Sequence, residues 1–357
     1  DDYISADLGD DIIYGGSGYD YIDGGLGDDL IDGGDDVDTV SYANSTKAVT
    51  INLSTVGAQD TIGAGVDTIV NTENILGSKY NDTLTGDNNS NTIEGELGND
   101  LIDGGDGDDF ISGGKGSDVL SGGAGYDLLG YQEDTEGLYV NILTNEARGG
   151  TAQGDIISGF EGIIGGSGND VLIGNNGDND LFGNEGDDVI FGGLGNDIII
   201  EESGYNTLYG EDGDDFIYGG VNDDFIIGGD DNDTIYGKYG NDRISGGEGN
   251  DIFVFDTELN EDGNVDKISD FIHSDDVFYI DNDIFESFSS VIFGSIESEN
   301  FVSGKSAIDE NDYIIYDTDT GNIWYDADGS GAESSAVLFA TLCNKPADID
   351  YTNFIVI

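Results

Sequence analysis

A nine-residue periodicity runs without insertion from Gly165 to Val254, and it constrains the fold more than any other feature of the chain. Its clearest copies are Gly192-Gly193-Leu194-Gly195-Asn196-Asp197-Ile198-Ile199-Ile200 and Gly246-Gly247-Glu248-Gly249-Asn250-Asp251-Ile252-Phe253-Val254. The unit reads G-G-x-G-x-D-x-U-x, where U is a large aliphatic or aromatic residue. The sixth position holds Asp170, Asn179, Asp188, Asp197, Asn206, Asp215, Asp224, Asp233, Asp242 and Asp251. The eighth holds Leu172, Leu181, Ile190, Ile199, Leu208, Ile217, Ile226, Ile235, Ile244 and Phe253. A disordered Gly/Asp-rich linker has no reason to keep an apolar row phase-locked at period nine.

The unit carries its own physics. Glycines at three of its first four positions accept φ > 0 and close backbone approach, so the first six residues form a tight turn. The Asp that ends the turn offers a hard carboxylate oxygen, and free turn carbonyls offer more, which is the ligand chemistry of Ca²⁺. The x-U-x that follows is a three-residue strand whose middle side chain faces opposite to its neighbours. Two units make one coil of a flattened helix. Stacked coils place turns of one edge about 4.8 Å apart, close enough for an ion between successive turns.

Two shorter arrays precede the long one. The first, within residues 1–41, has Asp11, Asp20, Asp29 and Asp38 at the sixth position over Ile13, Ile22, Ile31 and Val40. The second, residues 77–130, has Asp82, Asn91, Asp100, Asp109, Asp118 and Asp127 over Leu84, Ile93, Ile102, Ile111, Leu120 and Leu129. Between them lie two non-repeat, β-rich connectors, 42–76 and 131–164, which echo one another. Tyr42, Val49, Asn52, Asp67 and Glu73 of the first match Tyr131, Leu138, Asn141, Asp155 and Glu161 of the second. The opening Asp1-Asp2-Tyr3-Ile4-Ser5 reads as the back half of a unit, so a longer protein is expected.

Acidic residues outnumber basic ones by 77 to 9, a formal charge of −68. Such a chain does not bind nucleic-acid phosphates by charge and is repelled by anionic membranes. If about twenty turns each held one Ca²⁺, roughly 40 positive charges would offset most of the self-repulsion. Folding is therefore expected to be linked to the metal. Cys343 is the only cysteine, so calcium rather than a disulfide has to staple the fold. No run of 18 apolar residues exists to span a membrane.

These residues resemble the RTX (repeat-in-toxin) family, whose nonapeptide builds a calcium-binding parallel β-roll. The resemblance extends past the repeats, into residues 255–357. Asn250-Asp251-Ile252-Phe253-Val254-Phe255 and Asp266-Lys267-Ile268-Ser269-Asp270-Phe271 resemble the segment that closes the roll in serralysin-type secreted proteins. Asp350-Tyr351-Thr352-Asn353-Phe354-Ile355-Val356-Ile357 resembles an uncleaved type I secretion signal. The resemblance implies an all-β chain of three roll segments, connectors that bridge or cap the stacks, and a C-terminal β-domain bearing the export signal. It implies a secreted or cell-surface bacterial protein that engages type I secretion machinery and folds on extracellular Ca²⁺. The expected ligands are the aspartates of the sixth-position row, on the order of ten to twenty ions.

Turns that depart from the pattern, at Gly33-Gly34-Asp35-Asp36, Gly86-Asp87-Asn88-Asn89, Glu201-Glu202-Ser203-Gly204 and Gly228-Gly229-Asp230-Asp231, are expected to bind weakly or not at all, as are Asn91, Asn179 and Asn206. Asp326-Ala327-Asp328-Gly329-Ser330-Gly331 reads as a turn more than a calcium loop, for it lacks the bidentate acid of an EF-hand. With His273 as the only histidine, a zinc site built on several histidines is excluded among these residues, and no Ser-His-Asp triad is expected. Cys343 reads as buried apolar filler. No catalytic constellation is expected here, although an enzyme domain upstream is compatible with the resemblance. The ninth position of the long array is apolar: Ile173, Phe191, Tyr209 and Ile227 on one face, Phe182, Ile200, Tyr218 and Tyr236 on the other. Such stripes read as contact surfaces, for the C-terminal domain or for self-association. They support the rival reading, a self-assembling S-layer, matrix or adhesin component.

Overall fold

A turn that ends in Asp and a strand with one inward side chain dictate a coil, and the coil is what forms. A computed structural model describes residues 1–260, 263–331 and 334–357. Among them are strands, turns and short 3-10 turns, and no α-helix. The fold is an all-β parallel roll that divides into two compact units, Asp1–Gly174 and Asn175–Ile357.

In the first unit, one face is built from Tyr3–Ser5, Tyr21–Asp23, Thr39–Ser41, Asn74–Leu76, Thr92–Glu94, Phe110–Ser112, Leu128–Gly130 and Gly162–Ile164, each parallel to the next. The register lays eighth positions over one another: Ile4 on Ile22, Ile22 on Val40, Ile93 on Ile111. The opposite face pairs Ile12–Ser17 with Leu30–Asp35 and Leu101–Asp106 with Val119–Ala124. Ile22, Ile31, Val40, Leu84, Ile102 and Ile111 are fully buried. The core is thus one side chain deep from each face, and each such burial contributes about 1.5–3 kcal/mol.

The connectors lie inside this stack and are not caps. Each adds one strand to the first face, Asn74–Leu76 or Gly162–Ile164, and three to the second. In the later connector Ile156–Ser158 runs parallel to Val119–Ala124, followed by antiparallel Glu146–Arg148 and Tyr139–Asn141, which lies parallel to Val171–Ile173. The earlier one repeats the order. Val66–Val70 lies on Leu30–Asp35, Ala58–Asp60 is antiparallel to it, and Thr50–Asn52 lies on Thr83–Thr85. The capping expectation fails because each connector keeps the D-x-U signal of a repeat, Asp67-Thr68-Ile69 and Asp155-Ile156-Ile157.

In the second unit one face runs Asp180–Glu185, Ile198–Ser203, Phe216–Tyr218, Thr234–Tyr236, Ile252–Phe255, Val277–Ile280 and Phe354–Val356, all parallel. The other runs Val189–Leu194, Thr207–Asp212, Phe225–Asp230, Arg243–Glu248, Asp266–Ile268 and Val337–Leu342. Among the described residues, strands of 255–357 therefore extend the coils end-on, and none of them pairs across an apolar stripe. The isoleucine core gives way to aromatic rings: Phe271 stacks on Phe278 at 4.5 Å, and Phe278 on Phe354 at 4.9 Å. The ninth-position residues stay half-exposed, their rings stacked on each other, Phe191 on Tyr209 and Tyr218 on Tyr236. Cys343 is exposed, against expectation: its strand ends at Leu342 and the chain turns outward there.

Candidate metal centre

The sixth-position carboxylates form two ladders, one along each edge. In each ladder the backbone N–H of one aspartate donates to Oδ1 of the aspartate one coil later. Examples are Asp20 to Asp38 at 2.8 Å, Asp100 to Asp118 at 2.8 Å, Asp197 to Asp215 at 2.8 Å and Asp224 to Asp242 at 2.8 Å. The bond fixes one oxygen and aims the other inward. That second oxygen, Oδ2, is buried without a hydrogen-bond partner at Asp11, Asp20, Asp29, Asp38, Asp100, Asp109, Asp118, Asp127, Asp197, Asp215, Asp224, Asp233, Asp242 and Asp251.

In most of these turns what faces it is another acceptor. A Cβ added at Gly95 would stand 2.6 Å from Asp100 Oδ2 and 2.7 Å from the Gly113 carbonyl oxygen. The same pair, carboxylate oxygen and carbonyl of the next coil, crowds Gly15, Gly104, Gly192, Gly210, Gly219 and Gly228. The first glycine of these units leaves room for the cradle, because a side chain there would reach into it; the unit of Asp11 has Ala6 at that place. Two oxygens facing each other with no proton between them repel unless a cation separates them. Among the described residues no three acidic, His or Cys side chains converge. An ion here draws the rest of its ligands from main-chain carbonyls, which suits Ca²⁺ and its tolerance of irregular oxygen sets.

Electrostatics agree. Burial pushes the Asp224 carboxyl up to about 9, Asp197 and Asp233 to about 8, and Asp100, Asp215 and Asp242 to about 7. Asp109 and Asp251 rise to about 6 for the same reason. The ladder N–H bonds work against the rise, and neighbouring aspartates add to it. At neutral pH a metal-free row would hold protons at Asp197, Asp224 and Asp233, and a divalent ion displaces them.

The asparagine positions are built differently. Asn206 Nδ2 donates to the Gly219 carbonyl at 3.4 Å, and Asn91 Nδ2 to the Glu73 carbonyl at 2.7 Å. At Glu201 the glycine cradle is lost, and that buried side chain reaches back against Gly183. Asp170 and Asp188 occupy their row positions, both buried, while Asp82 and Asp170 turn Oδ2 to backbone N–H groups of their own turns. Asp29 and Asp38 are raised by burial as well. The Asp326–Gly331 segment is a turn with Gly329 at φ 58°, and Ser334 Oγ donates to both Asp326 and Asp328. His273 Nδ1 pairs with Asn353 Oδ1 at 2.6 Å, tying the last strand down.

Sequence reasoning missed six row members. Asp67 and Asp155 accept the Asp29 and Asp118 N–H groups, Glu73 and Glu161 those of Asp38 and Asp127, and Asp266 and Asp276 those of Asp242 and Asp251. Their D-x-U or E-x-U triplets were the available signal, hidden because the spacing to the previous coil is not eighteen.

The repeat model described as the RTX calcium-binding nonapeptide repeat, in four copies, matches residues 5–40, 71–102, 94–129, 164–199, 202–226 and 227–257, more than half of the chain. The chain belongs to this RTX calcium-binding repeat family. Among solved structures, the extracellular lipase LipA from Serratia marcescens is similar at 18% identity and a TM-score of 0.20, over 80% of this chain and 40% of the lipase. The RTX chain thus spans less than half the length of that protein. No curated protein sequence matches it.

Proposed function

We propose that this RTX chain is the calcium-triggered folding and export module of an extracellular bacterial protein. One observation carries the reading: rows of buried Oδ2 atoms aimed at carbonyl oxygens with no donor between them. Where free Ca²⁺ is low, the chain's −68 charge and the cost of burying that row keep it extended and able to thread a type I exporter. Outside, Ca²⁺ enters the cradles, the U row closes, and metal affinity becomes folding free energy. The sixth-position aspartates hold the ions, and the first glycines leave room for them. We assign these residues no catalytic role.

The test is a calcium titration of metal-free protein, followed by circular dichroism and sedimentation. A coil-to-β transition with compaction to a monomer is expected. Growth into sheets or filaments would favour a self-assembling extracellular component instead, and a chain already β-folded without metal would sink the calcium-linked mechanism.

A further inference from the structure

The two connectors carry row carboxylates whose surroundings differ from those of the repeat turns that leave Oδ2 open. On one edge, Asp67 accepts the Asp29 N–H at 3.0 Å and Asp155 accepts the Asp118 N–H at 2.9 Å, so each holds a normal ladder position through Oδ1. Their Oδ2 atoms are not orphaned. The Tyr42 and Thr61 hydroxyls both donate to Asp67 Oδ2 at 3.0 Å, and the Tyr131 hydroxyl donates to Asp155 Oδ2 at 3.0 Å. A buried proton donor stands where the repeats present only oxygen. The row then restarts with turns closed from within: Ser78 N–H donates to Asp82 Oδ2 at 2.6 Å, and Gly166 N–H to Asp170 Oδ2 at 2.9 Å.

The opposite edge behaves in the other way. Asp38 and Asp127 are completely buried, each with Oδ2 unpartnered. The carbonyl that faces Asp38 across Gly33 belongs to Asn71, and the one that faces Asp127 across Gly122 belongs to Gly159. Both carbonyls come from connectors. A connector therefore completes the oxygen cradle on one edge and closes it with a hydroxyl on the other.

We infer that each connector is a half-loaded coil: a tyrosine hydroxyl takes the cation's place at Asp67 and Asp155, while the Asn71 and Gly159 carbonyls complete divalent-cation sites at Asp38 and Asp127. This rests on the calcium reading above and adds to it a map of where ions stop. The ligand class is a hard divalent cation, and the substitution is chemically balanced: a neutral O–H donor satisfies one carboxylate oxygen that a metal would otherwise bind. The row is thereby broken into separate packets, each able to fill without its neighbour.

The experiment counts ions. The 357-residue chain and its Asp109→Asn, Asp127→Asn and Asp155→Asn variants are loaded with Ca²⁺ and weighed by native mass spectrometry. Asp109→Asn and Asp127→Asn, whose Oδ2 atoms face the Gly122 and Gly159 carbonyls, should each lose at least one ion, and Asp155→Asn should keep the wild-type count. Loss at Asp155→Asn equal to that at Asp109→Asn overturns the inference. A wild-type chain that holds no ions sinks the calcium reading itself, a separate outcome. Should a variant fail to fold, anomalous scattering from Tb³⁺ in wild-type crystals decides. A peak between Asp127 and Gly159 with none at Asp155 supports the map, and a peak at Asp155 Oδ2 refutes it.

Discussion

Asp215 does two jobs with its two oxygens, and substitution can separate them. Oδ1 accepts the Asp197 N–H at 2.8 Å, and Oδ2 is buried without a partner. Asn keeps the first job and places an amide NH₂ at the second, as Asn206 does toward Gly219. Ala abolishes both. Burial raises the Asp215 carboxyl to about 7, so ionising it at pH 8 without metal costs at most about 4 kcal/mol, a cost that Asn removes. Losing one ion held about a hundredfold above its Kd costs about 2.7 kcal/mol. The two nearly cancel, leaving Asp215→Asn within about 2 kcal/mol of wild type in saturating calcium. Asp215→Ala also strands the buried Asp197 N–H, a further loss of about 1–3 kcal/mol. Urea unfolding followed by circular dichroism, with ion counts by native mass spectrometry, reads both quantities. Both variants should lose the same ions while only Ala loses the extra stability. Equal stability of Asn and Ala would refute the division of labour between the oxygens.

Three further outcomes follow from the same geometry. Asp197, Asp215, Asp224, Asp233, Asp242 and Asp251 of the long array have folded values of about 6 to 9, above the ordinary 3.8, so their support for the metal-free fold is complete below about pH 4 and lost as pH rises through that range. Metal-free protein should thus be coil at about pH 8 and gain β-structure on acidification toward about pH 5, read by circular dichroism with sedimentation to exclude aggregates. Gly95→Ala should weaken calcium binding, because its Cβ enters the cradle. Gly177→Ala, whose Cβ would meet nothing closer than 3.5 Å, should not; isothermal titration calorimetry of the pair tests this. Phe354→Ala should cost about 3–5 kcal/mol in urea unfolding, since its ring is fully buried against Phe278.

The periodic part of the molecule was readable because each of its contacts repeats at a fixed step. The phase of Leu172 through Phe253 gave the buried row, and the phase of the aspartates gave the ladder. Where the step changes, the reading stopped. Asp67 and Asp155 sit 38 and 37 residues from their ladder donors, and Asp266 and Asp276 sit 24 and 25. Tyr42 and Tyr131 were visible as a matched pair, but their hydroxyl bonds span 25 and 24 residues of unrelated sequence, and no local pattern announces them. Cys343 was misplaced because Thr341-Leu342 continues a buried strand, and only the tertiary turn after Leu342 shows that the strand has ended. The inward second oxygen was not legible either, since it depends on which oxygen the preceding coil captures.

The ladder has a direction. Every donor N–H reaches toward a carboxylate nearer the C-terminus: Asn179 to Asp197, Asp197 to Asp215, Asp215 to Asp233, Asp233 to Asp251, and Asp251 to Asp276 in the closing region. A chain that emerges tail first therefore brings each new sixth-position N–H to a carboxylate already in position. The fifth-position ladder runs the other way, Asn196 to Asp178, Asp214 to Asn196 and Asn232 to Asp214. Each coil thus both offers and takes turn bonds on either side, and whichever end leaves the exporter first, its outermost coil keeps one half of those bonds open until the next coil arrives.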